Sequence, residues 1–152
     1  MDCCCFRACR EALSARRALF TDLGLLLLRL VFGGFMVTHG WGKLTNFSAY
    51  SEKFLSLFGM SPAFCLALAI FAEFGCALLL VAGALTRLAT LPLIFTMGVA
   101  AFVAHGADPF QKKELALAYL GAYVAILLLG PGRFALDTLC CRCCRKDDAK
   151  PA

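Results

Sequence analysis

Residues 62–85 read PAFCLALAIFAEFGCALLLVAGAL, an apolar run that contains a single charged side chain, Glu73. A helix needs roughly 20 apolar residues to cross the hydrocarbon core of a bilayer, which is about 30 Å thick. Pro62 suits the first turn of a helix, because the N–H that proline lacks has no intrahelical partner there. The stretch therefore predicts a transmembrane helix.

Three further apolar runs cover residues 20–37, 88–104 and 115–129. The last run is short, but Lys112 and Lys113 can extend it because their long stems reach the membrane interface. We therefore predict an all-α polytopic membrane protein with a bundle of four transmembrane helices. The bundle would occupy residues 20–133, between a Cys/Arg-rich segment (1–19) and a Cys-rich basic tail (134–152).

The composition favours the same class. Of the 152 residues, 61% are hydrophobic and 16% are charged, whereas soluble domains are about half apolar and about a quarter charged. The net charge of +5 comes almost entirely from Lys and Arg residues that flank the apolar runs. Basic residues at the ends of apolar runs are typical of membrane proteins, in which they set the topology and contact anionic lipid. Their position here argues against a nucleic-acid partner.

The positions of the Lys and Arg residues predict the orientation of the bundle. With four spans, ten of them fall on the side of the two termini and four on the opposite side. Basic residues accumulate on the cytoplasmic side of a membrane. We therefore predict an inner or plasma membrane protein with both termini in the cytoplasm.

Arg29 and Glu73 lie inside the first and second runs. Counting 1.5 Å per residue from the predicted helix ends places them at similar depths. A lone charge near the bilayer centre costs several kcal/mol, so we predict that the two face each other as a buried charge pair. Gly33 and Gly40 share the same helix face as Arg29, and glycines at such spacing let a second helix approach closely.

A second group of polar residues is predicted at the outer end of the bundle. It consists of two imidazoles, an ammonium and a carboxylate: His39, Lys43, His105 and Glu114. Together they could bind a quinone-like or anionic headgroup and move protons with it. The alternative is that each side chain simply reaches into the headgroup region.

Eight of the ten cysteines flank the predicted bundle, on one side of the membrane: Cys3, Cys4, Cys5, Cys9, Cys140, Cys141, Cys143 and Cys144. A reducing cytoplasm argues against structural disulfides there. S-palmitoylation beside the basic segments, a zinc or iron–sulfur site, and the absence of a defined role all remain open.

Several motifs, taken in order, resemble the DoxX family of small four-helix membrane proteins over residues 25–137. They are His39-Gly40-Trp41-Gly42-Lys43-Leu44, Ala72-Glu73-Phe74-Gly75, Thr86-Arg87-Leu88, His105, Glu114-Leu115-Ala116-Leu117 and Gly130-Pro131-Gly132-Arg133 with Asp137. The resemblance implies a four-helix fold. It also implies a redox association, because some relatives are subunits of a thiosulfate:quinone oxidoreductase. The cysteine-rich ends depart from the family pattern.

Two functions follow as hypotheses. The first is a redox-associated subunit, an oxidoreductase component that handles quinone or a small sulfur oxyanion at the outer end with a soluble or membrane redox partner. The second is a non-enzymatic anchor or scaffold that holds a soluble partner through the cysteine-rich ends. Contact with membrane lipid is expected in both, and the chain could oligomerise in either.

Overall fold

The computed structural model of the chain describes residues 4–139, with side chains from residue 18 onward. This part of the chain is helical and contains no strand. Up to residue 129, five helices follow one another: α1 (Cys4–Thr45), the short α2 (Phe47–Ser51), α3 (Pro62–Ala82), α4 (Thr86–Ala104) and α5 (Phe110–Leu129). Residues 136–139 are again helical. The helix α1 runs without a break through the predicted domain boundary at residue 20.

Three helical segments are long and apolar enough to cross a membrane: Ala18–Thr45, Pro62–Ala82 and Thr86–Ala104. The prediction of an all-α protein with helices of membrane-spanning length is thus confirmed for the described residues. The fourth long helix, α5, has 20 residues, but its first turns carry Lys112, Lys113 and Glu114. That α5 also crosses the bilayer stays a prediction.

The ends of α3 follow from local chemistry. The Ser61 hydroxyl accepts a hydrogen bond from the Phe64 N–H at 3.4 Å, and Pro62 occupies the first position of the helix. At the other end, Gly83 adopts a positive φ of 74°. That backbone conformation favours glycine, so it ends the helix where the apolar run turns into α4.

The four long helices share one apolar core, in which Met36, Leu80, Leu93, Tyr123 and Ile126 are almost completely buried. The Tyr123 hydroxyl donates to the Phe32 carbonyl oxygen at 3.2 Å and so ties α5 to α1. Outside this core the long helices expose large apolar side chains, among them Leu27, Phe35, Phe71, Leu91, Phe95 and Leu128. A surface this apolar is suited to lipid rather than water.

Close packing of α1 against α3 depends on two glycines. A Cβ atom on Gly33 would lie 2.8 Å from a Val81 methyl group, and one on Gly40 would lie 2.6 Å from the Phe74 nitrogen. Atoms this close essentially never occur in folded proteins. At Gly40 the obstructing atoms include the backbone of α3, so only glycine permits the observed separation, whereas at Gly33 the obstructing atom is a side-chain methyl group. The prediction that Gly33 and Gly40 allow close approach is confirmed.

The segment that follows α5, residues 130–139, folds back over the turn between α3 and α4. Asp137 accepts hydrogen bonds from the Leu85 and Thr86 N–H groups at 2.7 and 2.9 Å, and from the Thr86 hydroxyl at 2.9 Å. Asp137 therefore caps the N-terminus of α4 from 51 residues away. We call the end of the bundle that holds Asp137 and Arg29 the Arg29 end.

Burial alone would raise the pKa of the Asp137 carboxyl, but the hydrogen bonds from Thr86 and Leu85 outweigh it and lower the pKa below its usual 3.8. A carboxyl with a depressed folded-state pKa adds stability above the unfolded-state value, and this stability is lost as the pH falls through the folded-state pKa. The contribution of Asp137 should therefore be complete near neutral pH and decline below pH 3.8.

We predict that Asp137→Asn lowers stability near neutral pH by about 1 kcal/mol, because the amide nitrogen that replaces one carboxylate oxygen cannot accept a hydrogen bond from Leu85 or Thr86. Thermal unfolding of the detergent-solubilised protein would show the difference, which should shrink in acid as the wild-type carboxyl becomes protonated. Glu52→Gln, at an exposed carboxyl, is the matched control and should leave the unfolding curve unchanged. A gap between wild type and Asp137→Asn that stays constant into acid would contradict the capping role.

Candidate functional site

The opposite half of the bundle, which we call the Lys43 end, contains an ion pair whose carboxylate is buried. Lys43, in the last turn of α1, donates from Nζ to Oε1 of Glu73 on α3. The Glu73 side chain is 3% exposed and that of Lys43 is 31% exposed. The Lys43 ammonium also lies 5.9 Å from the centre of the Phe54 ring. Glu73 is therefore paired with a cation that is itself held against an aromatic face.

The predicted pairing of Arg29 with Glu73 is wrong. The Arg29 guanidinium is buried and donates to three backbone carbonyl oxygens, those of Leu80 (3.0 Å), Val81 (3.3 Å) and Pro131 (2.6 Å). The prediction failed because α1 is shifted along its axis relative to α3 by more than the ends of the apolar runs suggest. Gly40 is the residue of α1 that packs against Glu73, and Arg29 lies about 16 Å before Gly40 along the helix. Arg29 instead satisfies carbonyls at the C-terminal end of α3, where a cation also complements the helix dipole.

Next to the ion pair is a groove between α3 and α4 with a volume of about 580 Å³. Its walls are mainly apolar side chains of the two helices and of the loop before α3, including Leu57, Leu68, Ala69, Phe71, Phe95 and Val99. Lys43, Glu73, His105 and the Cys65 thiol are the charged or titratable groups among the lining residues. The volume falls within the range of sites for small organic ligands, which are typically apolar with a few polar groups.

Glu73 lines this groove and carries an unsatisfied acceptor. Its Oε1 atom takes the Lys43 hydrogen bond, whereas its Oε2 atom is buried and has no hydrogen-bond partner among the described residues. A buried polar atom without a partner costs about 1–3 kcal/mol, more when the group is charged. A ligand that donates a hydrogen bond to Oε2 would remove this cost.

Two π-helical segments help to form the groove. The helix α3 changes to a π-helix at Phe71–Cys76, which includes Glu73, and α4 does so at Ala100–Ala104. Residues of both segments line the groove. A π turn places side chains differently from an α turn, and such turns occur frequently at functional sites. Their positions here agree with a site at the groove.

His105 stands at the end of α4 and lines the groove. Its Nδ1 atom is 2.9 Å from Oδ2 of Asp108, whose other oxygen lies 3.6 Å from Lys112. The hydrogen bond with His105 is the main reason why the pKa of Asp108 is lowered. Asp108 was not among the predicted site residues. The separation of three residues between His105 and Asp108 was a signal that could have revealed the pair.

The structure brings together only part of the predicted outer cluster. Lys43 and His105 line the groove, but His39 and Glu114 do not. His39 lines a neighbouring cavity of about 390 Å³ that shares Lys43 with the groove, and its ring packs edge-on against Tyr119 with centroids 6.2 Å apart. Glu114 is exposed on α5 and lines neither cavity. The groove contains Glu73 in their place.

The cysteines divide into two groups. Cys65 and Cys76 in α3 are buried free thiols, and the Cys65 sulfur at the groove accepts the Leu57 N–H at 3.4 Å. The eight terminal cysteines fall outside the part of the chain whose side chains are described, so lipidation, metal binding and a lack of role remain open for them. Among the described side chains, no three His, Cys, Asp or Glu residues could hold a metal ion.

The apolar helices, the lipid-compatible surface and the buried polar contacts at both ends define this chain as an integral membrane protein. Residues 24–106 match the DoxX family, and the chain belongs to that family. It is 32% identical to the inner membrane protein YqjF of Escherichia coli (strain K12), in a match that covers 78% of this chain and 92% of that protein. No solved structure matches the chain. The resemblance predicted from the sequence motifs is thus confirmed.

Proposed function

We propose that this DoxX-family protein binds the headgroup of a quinone or hydroquinone in the groove between α3 and α4, as a subunit of a membrane redox system. The observation that carries the proposal is the buried and unpartnered Oε2 atom of Glu73, a residue that lines the apolar groove. A hydroquinone hydroxyl can donate to that oxygen. The ring and its substituents suit the apolar inner wall, which includes Ala69 and Ala72.

The other polar groups at the groove complement the same headgroup. The Lys43 ammonium has three donor hydrogens, so it can bond Glu73 and still donate to a quinone carbonyl. His105, oriented by Asp108 through Nδ1, retains its second ring nitrogen for a ligand or a proton. Lys43 on α1 and His105 at the end of α4 are therefore the groups that we propose for headgroup binding and proton transfer.

A small sulfur oxyanion fits the groove less well. Among the described residues that line it, Lys43 carries the permanent positive charge, and this charge is already paired with Glu73. An anion brought close to the free carboxylate oxygen would be repelled, and its desolvation in an apolar groove would be costly. We therefore favour the quinone alternative over the oxyanion.

The redox and topological parts of the proposal rest on the family and the sequence. We propose that the electrons pass to or from a partner protein at the membrane, because some family relatives are subunits of a quinone-linked oxidoreductase. The bias of Lys and Arg residues supports termini in the cytoplasm, with the Lys43 end on the opposite side of the membrane.

We predict that Glu73→Gln weakens binding of a methylated benzohydroquinone about tenfold, which corresponds to 1.4 kcal/mol. Binding of the oxidised benzoquinone should change less, because it has no hydroxyl to donate to Oε2. Calorimetric titration of the purified protein in lipid nanodiscs measures both affinities. Glu114→Gln removes an exposed carboxylate outside the groove and should change neither.

Equal affinities of wild type and Glu73→Gln for the hydroquinone would overturn the proposed headgroup site. Competition by thiosulfate that disappears in Lys43→Met would instead support the oxyanion alternative. The unfolding temperature of each variant, recorded in the same nanodiscs, separates loss of binding from loss of fold.

A further inference from the structure

The groove between α3 and α4 has one closed side and one open side. The side toward the bundle interior is formed by buried residues, among them Ala69, Ala72 and Glu73, whose exposed fractions are 7%, 2% and 3%. At the outer surface the groove is bordered by Phe71 and Phe95, which are 60% and 59% exposed. The open side is therefore apolar and faces away from the bundle.

The depth of the groove in the membrane determines whether lipid-dissolved or water-dissolved molecules can reach its open side. Glu73 lies about 16 Å along α3 from Pro62 at 1.5 Å per residue. This is roughly half of the 30 Å hydrocarbon core. Phe71 and Phe95 belong to the helical segments of membrane-spanning length, so their exposed faces are directed toward lipid chains. The groove therefore opens laterally into the bilayer, at about the depth of Glu73.

We propose that the ligand enters the groove from the bilayer, between Phe71 and Phe95, and that the site selects a headgroup that carries a long apolar tail. The headgroup reaches Glu73, while the tail lies against the two phenylalanines and continues into the lipid. This inference rests on the proposed function, because it takes Glu73 as the headgroup contact. It adds the route of entry and the class of ligand, a membrane-dissolved amphiphile in place of a water-soluble molecule.

Physical chemistry favours this occupant over a compact polar ligand. A tail that moves from fluid lipid into the apolar groove gains packing contacts with Phe71 and Phe95, because side chains in a protein are packed more densely than the molecules of a liquid. The headgroup adds a second gain, because its hydroxyl pairs with the buried oxygen of Glu73. The open apolar border allows the headgroup to reach Glu73 without forcing the tail through water.

The test compares two ligands on the full chain in lipid nanodiscs: a methylated benzohydroquinone without a tail, and the same headgroup with a decyl tail. Parallel titrations of empty nanodiscs correct for partitioning into lipid. We expect wild type to bind the tailed compound at least about tenfold more tightly after this correction. Phe95→Ser should lower the affinity for the tailed compound about fivefold to tenfold and leave that for the tailless compound within about twofold.

Phe102→Ser is the matched control, because Phe102 is also on α4 and is 66% exposed but does not line the groove. It should change neither affinity. Phe71→Ser provides an independent second variant on α3 and should behave like Phe95→Ser. Binding of the tailless compound shows in each case that the variant is folded.

Equal corrected affinities of wild type for the two compounds would overturn the inference. So would Phe71→Ser and Phe95→Ser proteins that bind the tailed compound as well as the Phe102→Ser control does. The proposed headgroup site is tested separately. If Glu73→Gln leaves both affinities unchanged while the tail and Phe95 still affect binding, the Glu73 contact is rejected. Lateral entry would then still stand.

Discussion

Arg29→Met is expected to destabilise the bundle by at least about 3 kcal/mol, because hydrogen bonds to a charged group contribute about 1.5–3 kcal/mol each. The guanidinium, 1% exposed, is the donor for the carbonyl oxygens of Leu80, Val81 and Pro131. Methionine fills much of the volume but donates no hydrogen bond, so these carbonyls would be left in an apolar setting. The substitution would also remove the hydrogen bond that holds Pro131, in the segment 130–139, against the end of α3.

The measurement is thermal unfolding of the purified protein in detergent, with the yield of folded protein as a second readout. Arg133→Met is the matched control, since Arg133 lies at the same end of the bundle but is exposed. Arg29→Lys should fall between wild type and Arg29→Met, because one ammonium cannot reproduce the fork of the guanidinium. An unfolding temperature of Arg29→Met close to that of Arg133→Met would show that the three hydrogen bonds contribute little.

Gly40→Ala is expected to have an effect of similar size, about 3 kcal/mol, through overpacking rather than through lost hydrogen bonds. The added Cβ would lie 2.6–2.8 Å from the Phe74 nitrogen, the Glu73 carbonyl carbon and the Phe74 Cβ atom. Two of these three atoms belong to the backbone of α3 and cannot rotate away. The helices must therefore separate, which would pull Lys43 away from Glu73 and change the shape of the groove.

Gly34→Ala tests the same substitution where α1 has open space, because no atom lies within 4 Å of the added Cβ. Alanine is the better helix former by up to about 1 kcal/mol, so this control should be neutral or slightly stabilised. Gly40→Ala should lower the unfolding temperature and weaken hydroquinone binding together. If the two alanine variants were equally stable, the close approach of α1 and α3 at Gly40 would not be required for the fold.

The sequence alone determined the class of the protein. Residues 62–85 could be assigned to the membrane because a run of that length and polarity has no stable place in water. The sites of close packing could also be predicted, since Gly33 and Gly40 lie seven residues apart on one face of a helix, and this depends on local geometry alone. The family could be predicted because its motifs occur in order along the chain.

Only the tertiary structure decided which polar groups meet. Whether Glu73 pairs with Arg29 or Lys43 depends on the relative height of α1 and α3. That height cannot be calculated from the ends of the apolar runs, because α1 continues beyond its run at both ends. The partners of Arg29 are backbone carbonyls, which every residue has and which therefore leave no pattern in a sequence.

The groove, too, depends on tertiary structure, because it exists where two helices fail to fill the space between them. Lys43 and His105 could be selected from the sequence as polar groups near one end of the bundle. The addition of Glu73, and the placement of His39 and Glu114 outside the groove, required the helix rotations and the two π turns to be known. Composition thus determines that helices of this kind enter a membrane, whereas their mutual rotation and height determine which side chains form the site.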